Sequence, residues 1–270
     1  MNTSSIIDAA WKLCNEVMKD YDASHDVEHV KRVVRLARYL ANEESIIDKD
    51  TLEIIELASI LHDVGDYKYK TENSIGVSAI EDMFKEYNYP EDKTKRVLHV
   101  INNVGFSSEL KRIDQERIGN IHDKQCESTL PMYISLSKRC YEFPMSQSTD
   151  IQFVQRDPDY HTPELCVVQD ADRLEALGGI GISRCLFFTA ARRGLIHDPD
   201  VTPDDTLTAN RYVKQQNGSK RNASITHFYE KIFKLQSLMK TEKGKEMAIE
   251  RTKIMYNFVH AVENEWNFGL

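Results

Sequence analysis

Residues 52–66 read LEIIELASILHDVGD, and the reading of this stretch decides the fold. Leu52, Ile55, Ala58 and Leu61 recur every three positions, the spacing of an apolar stripe on a helix. At its end stand two adjacent ionisable side chains, His62 and Asp63, with Asp66 close behind. Such groups, following Ala58, Ile60 and Leu61, are costly to bury unless they bind something. The stretch predicts a core helix that carries polar ligands at its C-terminal end.

The same periodicity extends on both sides. Val27, Val30, Val34, Ala37 and Leu40 form a second stripe, and the segments YDASHD, SIIDKD and YNYPEDK between the runs supply cap and first-turn residues. Helices are predicted near 5–19, 27–42, 50–63, 73–87 and 91–105. From about 114 to 162 the periodicity fades into IHDKQCESTLPM and YEFPMSQSTDIQFVQRDPDYHTP, read here as a long loop insertion, partly ordered at best. Helical pattern resumes in ELCVVQDADRLEALGGIGISRCLFFTAARRG, apolar on most faces, with Gly178, Gly179 and Gly181 pointing to close packing or a break. Two amphipathic helices near 225–239 and 241–266 close the chain. No strand pairing or internal repeat is found, so the expected fold is all-α: one helical domain over 1–270 with an insertion at about 114–162.

Composition narrows the function. A formal charge of −8 argues against a general nucleic-acid surface, which needs basic side chains to displace phosphate counterions. No stretch approaches the roughly 18 uninterrupted apolar residues of a membrane helix, and the opening MNTSSIIDAAWKLCNE does not read as a leader. Cys14, Cys126, Cys140, Cys166 and Cys185 are scattered and odd in number, which suits free thiols in a reducing compartment. The expectation is a cytoplasmic protein, the nucleus remaining open, with no membrane and no nucleic-acid polymer as partner.

Two further groups join the His-Asp pair. His29 lies in the first turns of the second helix, in DVEHVKRVVRLA, and VVQDADRLEALGGIG sets Asp170, Asp172 and Glu175 in apolar sequence. Imidazole nitrogen and carboxylate oxygen converging from separate helices are what borderline divalent metals take. Two imidazoles and two carboxylates leave coordination positions open, as a catalytic site requires.

The ordered series His29, His62-Asp63 and Asp172 resembles the H…HD…D signature of the HD-domain phosphohydrolases, an all-helical superfamily. SHDVEH, LASILHDVGDYKY, VQDADRLEALGGIGISR and HFYEKIFKLQSLMKTEKGKEMA extend the resemblance over most of the chain apart from the insertion, nearest to the branch of bacterial metal-dependent nucleotide pyrophosphohydrolases. It implies an HD-domain helical bundle holding one divalent metal, manganese ahead of magnesium, cobalt, nickel, iron or zinc. His29, His62, Asp63 and Asp172 are the implied ligands, with Asp170 the alternative to the last. Asp66 is the expected catalytic residue, orienting water or accepting its proton. His25, Arg32, Lys68, His99, Arg173, His227, Lys231 and Lys234 are candidate substrate contacts: Arg32 and Arg173 are expected to reach toward the metal, and His227 and Lys231, four apart, to share a phosphate-facing side.

The activity so implied is hydrolysis of a small-molecule nucleotide, a nucleoside triphosphate (deoxy forms included) giving monophosphate and pyrophosphate. A nucleoside monophosphatase or another HD phosphohydrolase or phosphodiesterase is the second reading. A noncatalytic nucleotide-binding regulator is the third. A homodimer is left open.

Overall fold

The computed structural model describes residues 3–64, 77–112, 114, 160–203 and 223–268. Nine α-helices organise them: α1 (Thr3–Met18), α2 (Val27–Glu43), α3 (Lys49–Leu61), α4 (Val77–Glu86), α5 (Glu91–Asn103), α6 (Pro163–Glu175), α7 (Gly178–Ala191), α8 (Ser224–Glu230) and α9 (Glu242–Trp266). A 3₁₀ helix spans Ile232–Leu238, and residues 106–112 are helical. The described residues contain no strand; Leu195 and Ala223 form an isolated bridge. The all-α expectation holds.

Each helix follows from its apolar spacing. Ile6, Ala10, Cys14 and Met18, four residues apart, are the buried face of α1. The α2 helix starts where Asp26 accepts a hydrogen bond from the His29 N–H, and it buries His29, Val33, Ala37 and Leu40 along one stripe. His29 therefore sits on the core face of α2, in its first turn. The α3 helix is capped by Asp48 and buried continuously from Ile54 to Leu61 except at Glu56. Thr162 and Pro163 open α6, and the chain then turns through 71° into α7. Gly181 permits that turn, because a Cβ there would lie 2.2 Å from the Ala176 carbonyl oxygen.

The outcome differs from the expected elements in two places. The third helix ends at Leu61, so His62 and Asp63 occupy the turn after it. The helix expected near 225–239 is α8 followed by the 3₁₀ segment, with the break at Lys231, whose φ is −129°. The fourth helix is described from Val77, and the insertion lies outside the described residues except for 114 and 160–162. Cys14 and Cys185 are buried thiols and Cys166 is a half-buried thiol, none of them in a disulfide among the described residues, while Cys126 and Cys140 lie outside the described residues. No single described helix is long and apolar enough to cross a membrane.

Three helices position the site: α2 packs on both α3 and α6, and α3 packs on α6. Successive residues on a helix project about 100° apart, so α6 presents different side chains to different neighbours. Val168, Ala171 and Leu174 enter the core, while Gln169 and Arg173 face Glu109. Glu109 is buried with Arg173 at 3.4 Å, Lys240 at 3.1 Å and Arg112 at 3.3 Å.

Burial alone would raise the Glu109 pKa, but Arg173, Lys240 and Arg112 outweigh it and hold the carboxyl at about 2. Lys240 fares differently. Its burial and the like charge of Arg173 outweigh Glu109 and bring its pKa down to about 8. Because the folded Glu109 pKa lies below its unfolded value, its stabilisation is complete above about pH 4.5 and is lost as pH falls toward 2. Glu109→Gln should destabilise the fold by about 3 kcal/mol at neutral pH, since it leaves buried cations uncompensated. Urea unfolding at pH 7 and pH 3 checks this; a variant as stable as wild type at both would show that the network contributes nothing net.

Candidate metal centre

His29 and His62 meet at the junction of α2, α3 and α6 with ring centroids 5.4 Å apart. The two rings differ at their Nδ1 sides. The His62 Nδ1–H donates to the Ser59 carbonyl at 2.8 Å, which turns Nε2 toward the junction. His29 Nδ1 faces Glu175 Oε2 at 3.6 Å, and Arg32 Nε donates to that same oxygen at 2.6 Å. The two Nε2 atoms then face two carboxylates. Asp63 Oδ2 is 3.5 Å from His29 Nε2 and 3.3 Å from His62 Nε2, while Asp172 Oδ1 is 3.5 Å and 3.8 Å from them.

The cluster opens on its carboxylate side: the imidazoles are sealed, whereas Asp63 keeps 14% and Asp172 30% of its side chain exposed. Burial opposes charge on His62, but Asp63 and Asp172 overcome it and lift its pKa to about 9. Burial and Arg184 work against a proton on His29, and the carboxylates of Asp172, Asp63 and Glu175 prevail, so its pKa is raised as well. Burial is likewise outweighed at Asp63 and Asp172, where the two histidines hold both carboxyls far below the ordinary range. The acids need positive charge among them, and protons on the imidazoles or a bound cation can provide it.

The donors suit a cation. His29 Nδ1 and Nε2 and His62 Nε2 are buried without a hydrogen-bond partner, a costly condition that a metal bound at the two Nε2 atoms would relieve there. One ligand atom each from His29, His62 and Asp172 falls within a common 4.8 Å.

Asp170, the alternative to Asp172, is engaged elsewhere. It accepts the backbone N–H groups of Lys240 and Thr241 and the Thr241 hydroxyl, at 2.7–3.0 Å. Thr241 in turn caps α9, accepting from the Gly244 N–H, and a Cβ on residue 244 would lie 2.6 Å from Asp170 Oδ2. Asp170 thus ties α6 to the start of α9.

The expected substrate contacts divide. His25 comes beside the cluster, its ring 6.3 Å from that of His29 and its Nδ1 2.7 Å from Ser24 Oγ. Arg32 reaches the cluster only through Glu175. His227 stacks on Phe188 at 6.5 Å, and Phe188 in turn lies 5.9 Å from His25. Lys231, at the break after α8, sets its Nζ 5.4 Å from the Phe106 ring centroid, and its N–H donates to the His227 carbonyl. The Lys234 N–H donates to the Lys231 carbonyl within the 3₁₀ segment.

His99 Nε2 donates to the Tyr160 carbonyl at 3.0 Å, joining α5 to the residues before α6. Arg173 does not reach toward the metal cluster. One position on from Asp172, it turns to another face and donates to the Leu238 carbonyl and Glu109. Asp66 and Lys68 lie outside the described residues.

Two residues at the site were given no role by the sequence reading. Glu175 carried a signal, since it stands three residues after Asp172 and so shares its helix face. Arg184 carried a weaker one, as a single cation in the apolar stretch GGIGISRCLFF.

The family model described as HD domain matches residues 26–177, more than half of the chain. The chain is 26% identical over 250 residues to YpgQ of Bacillus subtilis, covering 92% of this chain and 88% of that protein. The crystal structure of YpgQ in complex with ADP aligns with a TM-score of 0.58 at 23% identity, over 95% of this chain and 97% of that one. A crystal structure from Lactobacillus plantarum aligns at 0.70 with 26% identity over 99% of both chains. That of an HD-superfamily hydrolase from Bacillus thuringiensis aligns at 0.58 with 26% identity over 98% of this chain and 99% of that one.

Proposed function

The chain belongs to the HD-domain family, and on that premise we propose that it is a metal-dependent phosphohydrolase whose substrate is a nucleotide. The observation that carries the proposal is the convergence of His29 and His62, both sealed, with Asp63 and Asp172, both part-exposed, at the meeting of three helices. These four side chains would hold one divalent cation. When bound, it supplies Lewis-acid activation of water and of a phosphoryl group. The Ser59 carbonyl keeps His62 in the tautomer that offers Nε2, and Glu175, braced by Arg32, lies 3.6 Å from His29 Nδ1 and places negative charge behind that ring. The exposed edge of Asp63 and Asp172 leaves the phosphate ester its approach. The ADP complex of YpgQ supports a nucleotide as the ligand class.

Asp66 is assigned as the group that orients the attacking water or takes its proton, four residues after His62 in LHDVGD. Asp66→Asn should retain the metal and lose on the order of 100-fold in turnover, because a carboxamide does not accept a proton at neutral pH. A full rate in that variant, measured with metal-loaded protein, would remove Asp66 from the mechanism.

The finer reading is cleavage of a nucleoside triphosphate at the α-phosphorus, giving monophosphate and pyrophosphate. Hydrolysis in oxygen-18 water, with manganese and a panel of nucleotides, tests both levels. Label is expected in the nucleoside monophosphate and not in pyrophosphate. Initial release of orthophosphate would replace this reading with a monophosphatase or general phosphohydrolase, and no turnover of any nucleotide would overturn the activity itself.

A further inference from the structure

We propose that Arg184 is a phosphate-binding residue of this site, its guanidinium gripping an oxyanion of the substrate beside the metal cluster. The proposal rests on the phosphohydrolase reading for its ligand and on the following geometry for its place. Arg184 projects from the middle of α7, and its Nε donates at 2.7 Å to the carbonyl of Ser24. Ser24 stands just before α2, whose first turn carries His29, and its neighbour His25 packs between the His29 ring at 6.3 Å and Phe188 at 5.9 Å. Phe188 is one turn beyond Arg184 on the same helix. Arg184 is therefore tethered at the entrance of the helix that delivers a proposed metal ligand.

Its pairing differs from that of most arginines that bridge helices, and is shared with Arg251, which donates to the Leu174 carbonyl. Arg32 meets Glu175, Arg96 meets Glu164 and Arg173 meets Glu109, whereas Arg184 has no carboxylate partner among the described residues. A guanidinium has five N–H donors in a planar fork. Nε takes the Ser24 carbonyl, while Nη1 and Nη2 make no hydrogen bond to described residues and are not sealed in the core.

A half-buried guanidinium with two unengaged nitrogens and no carboxylate partner among the described residues is available to an anionic ligand. Asp63, Asp172 and Glu175 face the two histidines, so the negative charges of a polyphosphate need a cation elsewhere at the site. The Nη pair matches two phosphate oxygens at once, and the Nε tether has already restricted the side chain that must grip them.

The test uses the full chain loaded with manganese, comparing wild type, Arg184→Gln and Arg184→Lys. Metal content and melting temperature are measured first, then binding of pyrophosphate and of ADP by calorimetry. Arg184→Gln is expected to keep the metal and the melting temperature and to bind pyrophosphate at least tenfold more weakly, with Arg184→Lys between it and wild type. Unchanged pyrophosphate affinity overturns the proposal, and so does loss of metal or a large fall in melting temperature, which would make Arg184 a structural tether. Should Arg184→Gln fail to fold, Arg184→Lys decides, since an ammonium that binds pyrophosphate as well as the guanidinium does would overturn a two-oxygen grip. The two proposals fail separately. Arginine-dependent pyrophosphate binding without nucleotide turnover would sink only the phosphohydrolase reading, and nucleotide turnover indifferent to Arg184→Gln would sink only this one.

Discussion

His62→Ala is expected to abolish metal retention and reduce hydrolysis to background, while the helical fold survives. The imidazole is one of two nitrogen donors in the cluster, and its Nε2 lies within 3.8 Å of both Asp63 and Asp172. Removing it takes away the donor between the two carboxylates and the positive charge that its proton supplies when no cation is bound. Asp63→Ala should do the same, because Asp63 Oδ2 is the oxygen shared between His29 and His62. The fold should survive because His62 and Asp63 follow the end of α3, so His62→Ala gives up one hydrogen bond to the last turn of that helix, from the His62 Nδ1–H to the Ser59 carbonyl. Elemental analysis of the purified variant, a nucleotide hydrolysis assay and circular dichroism form the check. Normal turnover in either variant would sink the assignment of the metal centre.

The second large effect separates two acids only two residues apart. Asp172→Ala should lose metal and activity with little change in melting temperature, because its carboxylate meets only the two histidines and is partly open to solvent. Asp170→Ala should act in the opposite way. It leaves the N–H groups of Lys240 and Thr241 without their acceptor in a buried place, and it releases the Thr241 hydroxyl that caps α9. An unsatisfied buried donor costs about 1–3 kcal/mol, so a loss of about 3 kcal/mol is expected, or roughly 6–12 °C in Tm for a chain of this size. Thermal melts and metal titration of the two variants side by side provide the measurement. If Asp170→Ala lost metal without losing stability, the roles would have to be exchanged.

Both expectations show where sequence reading stops. The stretch VVQDADRLEALGG announced acids embedded in apolar sequence, and it left Asp170 and Asp172 as alternatives. Their side chains leave the helix about 200° apart, so they meet different neighbours, and nothing local says which neighbour is α2 and which is the start of α9. Arg173 is the same case in reverse. Sequence adjacency to Asp172 suggested a shared site, but the residue between two helix faces joins Glu109, 64 positions earlier in the chain.

The sequence by itself determined the elements and the chemistry of the centre. Apolar spacing marks the helices because a helix must bury one stripe, and the pattern of 27–42 and 52–61 is enough to put His29 and the His62-Asp63 pair at the ends of core helices. The acids and imidazoles in that apolar setting announce a ligand because their burial is otherwise costly. Only the tertiary structure decided which acid faces the histidines, that Glu175 and Arg32 pair behind His29, and that Arg184 is tethered at Ser24. The physical reason is that a side chain's role depends on its partner. Helix periodicity fixes the direction in which a residue projects from its own axis, whereas the partner is set by how α2, α3, α6, α7 and α9 pack against one another.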